Sequence, residues 1–132
     1  MESNFKCILY WVLLVICMVL HFNYHIGGIF YGIDIVRPDS DGTVPIYTHM
    51  IRSVFYHLPI VWVIVILNVT LKWVRLALFI ISIIYTASHA IHLVGEVISA
   101  PDISQVSLLS LTLLLSILLN IEHFKYQKEV ID

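Results

Sequence analysis

Charge is scarce in this chain. Only 12% of its 132 residues are Asp, Glu, Lys or Arg, seven basic against nine acidic, whereas 60% are hydrophobic. Soluble domains carry about 25% charged and about 45–50% apolar residues. A water-soluble domain built from this composition would expose apolar surface and aggregate, so that class is excluded. A formal net charge of -2 also leaves no basic footprint for nucleic acid. Cysteine is rarer still. Cys7 and Cys17 stand ten residues apart in one apolar run. On a helix they are separated by roughly 15 Å, beyond disulfide reach. No CxxC pair, no HExxH spacing, no internal repeat and no inter-domain linker occurs. The chain reads as one domain, 1–132, without a decisive catalytic signature.

Long apolar runs take the place of charge. Four of them, at about 5–31, 45–69, 73–95 and 103–121, supply the roughly 20 residues that a helix needs to cross a bilayer core. Backbone groups in lipid must bond internally, which makes each run a helix. The predicted fold is all-α, a four-helix transmembrane bundle in the lipid bilayer. The first run is too long for a signal sequence and no small-x-small site follows it, so it is read as an uncleaved span. Pro45 suits a first helical turn. The segment 37–42 reads as a polar loop, and Pro101-Asp102 as a turn with a cap.

Basic residues orient the bundle. Lys6, Lys72, Arg75, Lys125 and Lys128 fall at one side, and among the loops at the other side only Arg37 stands against Asp34, Asp39, Asp41, Glu96 and Asp102. Positive residues stay inside, so both termini are expected in the cytoplasm. A bacterial inner membrane is the favoured location. Tyr10, Trp11, Trp73 and Tyr126 are expected at the inner interface, where aromatic rings are enriched.

Histidine is the unusual presence. Six of seven histidines fall inside predicted spans. Helix rise places His21 and His57 near the midplane, and His25, His49, His89 and His92 roughly 7–13 Å toward the outer side. Cys17, His21 and His25 share one stripe on the first helix, continued by Gly28 and Gly32, where a neighbouring helix is expected to approach closely. His49, Ser53, Tyr56 and His57, with Arg52 nearby, share a face of the second. Tyr85, Ser88, His89, His92 and Glu96 share a face of the third. The fourth is expected to be a packing and lipid-facing element. Ionisable groups at such depth rarely face lipid, so helices 1, 2 and 3 are expected to enclose an outward-leaning polar centre. Pro59 removes a backbone donor and predicts a kink beside His57.

Three classes of function follow. Neutral imidazole binds metals and haem iron. His21 and His57 suit a bis-histidine haem b with Arg52 at a propionate, and a redox role. Otherwise copper or zinc is expected at Cys17, His21, His25, His49, His89, His92 and Glu96. A second class is a non-catalytic subunit, a homo-oligomer component or a small transporter, with histidines that glue the bundle at about 0.6 kcal/mol per bond or relay protons. A third is a membrane enzyme on a lipid or quinone, with His89, His92 and Glu96 as acid–base groups. For Arg52 the readings are snorkelling to headgroups, pairing with Glu96, or holding an anionic group. Cys7 reads as packing or a lipidation site, and His123 as surface.

Overall fold

The computed structural model describes residues 2–38, 40–99 and 102–128, and over these it is all-helical. The predicted turn at Pro101 and the loop residue Asp39 lie outside the described residues. Helix α1 (Ser3–Gly27) runs into a 3₁₀ turn, Gly28–Tyr31. A broken helix follows, formed by α2 (Ile46–Arg52), a π-helical turn (Ser53–His57) and α3 (Leu58–Asn68). Then come α4 (Lys72–Ser99) and α5 (Ile103–Lys128). Together they give four helical stretches of 29, 23, 28 and 26 residues, long and apolar enough to cross a membrane. This is the build of an integral multi-pass membrane protein.

Local chemistry explains the ends. Gly32 stops the first helix at φ 75°, a left-handed conformation that glycine adopts without strain, and Ile33 N–H returns to the Gly28 carbonyl at 3.1 Å. A Cβ on Gly28 would meet Ile33 of this same turn. The two glycines therefore close the helix, and the expected helix–helix approach along them is not found. Pro45 stands just before α2 as its cap. Asp102 caps α5, accepting from the N–H groups of Ser104 at 2.7 Å and Gln105 at 3.1 Å. In the second span Pro59 has no N–H for the Phe55 carbonyl and its ring crowds that carbonyl. The helix answers with the π turn immediately before it, which replaces the predicted simple kink.

Helix α5 is the centre of the packing, lying against both α1 and α4, while α1 alone carries most of the contact with α3. Buried residues follow alternating steps of three and four: Cys7, Trp11, Leu14, Met18 and His21 on α1, and Arg75, Leu78, Ser82, Tyr85 and His89 on α4. Gln105, Leu109, Thr112, Ser116, Leu119, His123 and Tyr126 do the same on α5. That period is the seam of left-handed helix packing. Thr112 and Ser116 let the neighbours come close. Their hydroxyls donate to the carbonyls of Leu108 and Thr112 at 2.8 and 2.9 Å, so neither hydroxyl is stranded. The fourth span is thus a central packing element, as expected, while Leu111, Leu114, Ile117 and Ile121 remain on an exposed apolar side.

The pole that carries both termini has its own polar network. Trp11 Nε1 donates to His123 Nε2 at 2.9 Å, and His123 is fully buried. Glu122 holds Lys125 at 2.7 Å and Lys6 at 3.8 Å. Arg75 donates to the Tyr126 carbonyl at 3.1 Å and lies 4.3 Å over the Tyr126 ring. Trp11, Tyr126 and His123 are therefore packed between helices, and for His123 this replaces the expected surface position. Cys7 is buried in the same core, in line with packing.

Candidate histidine site

At the opposite pole three histidines meet. His21 and His25 sit one turn apart on α1, His92 comes from α4, and Gln105 from the first turn of α5. His21 is 7% exposed. Its ring stands 4.6 Å from the His25 ring and 4.7 Å from the His92 ring, both edge to face. Its Nδ1 lies 2.5 Å from Gln105 Oε1, and Gln105 Nε2 donates to the His21 carbonyl at 3.3 Å. This pair of contacts assigns the tautomer. The amide that donates through Nε2 presents Oε1 to the ring, and an amide oxygen only accepts. His21 Nδ1 therefore carries the proton, and His21 Nε2 keeps its lone pair. That lone pair faces His25 Nε2 at 3.3 Å.

His89 lies one turn inward from His92 and is 1% exposed. It packs on the rings of Phe55 at 5.5 Å and Tyr85 at 6.3 Å, and among the described residues its Nδ1 has no hydrogen-bond partner. The Tyr85 hydroxyl donates to the Val54 carbonyl, which ties α4 to the π turn. Glu96 stands one turn beyond His92 and is half-buried. Cys17 is buried against Thr112 of α5, not against an imidazole.

His49, Arg52 and His57 stand apart from this cluster. They line a lateral groove of about 580 Å³, with Ser53, Tyr56 and Phe22 as the other walls. Among the described residues Arg52 has no carboxylate partner, so of its three readings the pairing with Glu96 does not form. Nor do His21 and His57 share an environment. The one faces His92 and Gln105, the other faces the groove. Helices 1 and 3 of the predicted centre converge, helix 2 turns its polar face outward, and α5 takes its place through Gln105.

Among the described residues no three His, Cys, Asp or Glu side chains converge closely enough to enclose a metal ion. The close set is a histidine pair with a third ring beside it. Sequence reasoning missed Gln105, Glu122 and His123. The steps of three and four from Gln105 to Tyr126 carry the signal that places all three near the interior. Searches against protein-family models, curated proteins and solved structures find no match for the chain.

Proposed function

We propose that this chain is a four-span membrane protein, with both termini cytoplasmic, that binds a divalent transition-metal ion through His21, His25 and His92 near its outer face. The observation that carries the reading is the orientation of His21. Gln105 holds its Nδ1–H and leaves Nε2 directed at His25 Nε2, 3.3 Å away. Two imidazole nitrogens bound tetrahedrally to zinc at about 2.0–2.1 Å are separated by about 3.3–3.4 Å. Metal-bound histidines characteristically donate the second ring nitrogen's proton to a carbonyl or carboxylate, which fixes tautomer and aim. Gln105 supplies that oxygen. His92, with its ring alongside, completes three protein ligands by turning toward the pair, and water takes the fourth position.

Imidazole-only ligation favours zinc or copper(II). The softer ligand Cys17 faces Thr112, which argues against a copper(I) thiolate centre. Haem b between His21 and His57 is the weaker reading, since the two rings face different surroundings. Proton transfer through the whole bundle is weaker still. Between His89 and His123 stand Tyr85 and Trp11, with rings 5.0 Å apart, and an indole N–H donates but does not accept. The cytoplasmic orientation of the termini rests on the distribution of Lys and Arg.

The test is metal binding by the purified full-length protein in detergent. Calorimetric titration with zinc or copper(II), checked by elemental analysis, is expected to give a single site per chain. His21→Ala should abolish it, and Gln105→Leu should weaken it about 10–100-fold. Equal binding by wild type and His21→Ala would overturn the proposal. A Soret band in the purified protein would move the reading to haem.

A further inference from the structure

We infer that the groove between α1 and the π turn is a second, separate site, one that holds the headgroup of an anionic lipid. Its walls are Phe22 from α1 and His49, Arg52, Ser53, Tyr56 and His57 from the second span. The argument begins with Pro59. In a regular α-helix, residues five apart point about 140° away from each other. In a π turn they stack along one face, because each bond spans five residues. The turn at Ser53–His57 therefore draws Arg52 toward the face that His57 already shares with His49 and Ser53 at four-residue spacing. The proline behind the turn thus joins Arg52 to the imidazole face.

Depth and chemistry select the occupant. Arg52 stands six residues into its helix, about 9 Å below the end that begins at Ile46, and His57 lies about 7 Å deeper. A guanidinium in this position is costly against acyl chains, and among the described residues no carboxylate meets it. The groove offers a permanent cation above and the His57 imidazole below. A phospholipid presents the same order, its phosphate above and its ester carbonyls deeper. Arginine is the preferred partner for phosphate oxygens. The Tyr56 hydroxyl is engaged with the Met18 carbonyl at 3.3 Å and closes the floor. Phe22 and the apolar flank of α1 leave a path for acyl chains. A volume of about 580 Å³ lies within the usual range for small-ligand sites.

The inference does not depend on the metal reading, because none of the groove residues belongs to the His21 cluster. It is tested with the full-length protein in nanodiscs of phosphatidylcholine containing a minor fraction of phosphatidylglycerol, reading retained lipid by native mass spectrometry. Wild type should retain phosphatidylglycerol over phosphatidylcholine. Arg52→Gln should lower that retention about tenfold, and Arg52→Lys should keep most of it. Pro59→Ala, which frees the helix to recover α register, should lower it with Arg52 still present. His21→Ala should leave it unchanged. Glycerol phosphate in solution should not compete; displacement by it would keep the phosphate site but assign it to a soluble ligand. Equal retention of the two lipids by wild type would overturn the inference, as would full retention by Arg52→Gln. So would a dimer that dissociates in Arg52→Gln, which would assign the groove to a second copy of the chain.

Discussion

Trp11 and His123 show how much hangs on single polar atoms in this core. The indole N–H donates to one nitrogen of a fully buried imidazole, and among the described residues the other nitrogen, His123 Nδ1, already lacks a partner. Trp11→Phe keeps the aromatic edge on Tyr85 but leaves His123 without that donor. An orphaned buried acceptor costs about 1–3 kcal/mol, so Trp11→Phe should lower the unfolding free energy in detergent by that order. The pair His123→Leu with Trp11→Phe should recover part of the loss, because both polar groups then disappear together. A double-mutant cycle in a denaturant titration checks both expectations. The same logic explains what the sequence could and could not reveal at this scale. His21, His25 and His92 were legible only as part of six histidines at one depth, because imidazoles are expensive in lipid; His49 and His57 of that group line the groove instead. Gln105 was not legible, because one amide at a predicted helix start looks like a capping or surface residue. Its role depends on a neighbour 84 positions away.

At the scale of elements, the spans were legible and their faces only partly so. Length and hydropathy are enough to find a membrane helix. They do not tell its buried side from its lipid side, since both are apolar and packing between membrane helices has no hydrophobic drive. On α1 and α4 Cys17, His21, Tyr85 and His89 are buried, as expected, while His25 is exposed. On the second span the same rule fails, because its polar face lines an open groove. On α5 the useful signal is small size: Thr112 and Ser116 are fully buried. Enlarging that seam should be costly. Ser116→Leu is expected to destabilise the bundle by about 1–3 kcal/mol through overpacking. Leu114→Ala, at a position 52% exposed, should stay within about 0.5 kcal/mol. Thermal unfolding of the two variants in the same detergent makes the comparison.

For the molecule as a whole, the basic residues at the pole of the termini are built into the fold. Lys6 and Lys125 meet on Glu122, and Arg75 is held by Tyr126. Orientation is checked by labelling single cysteines in a chain in which Cys7 and Cys17 are replaced by Ala. Ser40→Cys should react with an impermeant maleimide in intact cells, and Lys128→Cys only after the membrane is opened. The reverse pattern would place the histidine cluster on the cytoplasmic face. The position of α5 between α1 and α4 also has a consequence for biosynthesis. It is the last of the four helices to leave the ribosome, yet it is the one that the first and third spans both pack upon. Until it inserts, those two spans have their seams open to lipid or to chaperones, so a nascent chain halted after residue 99 should be degraded rather than accumulate as a three-span intermediate.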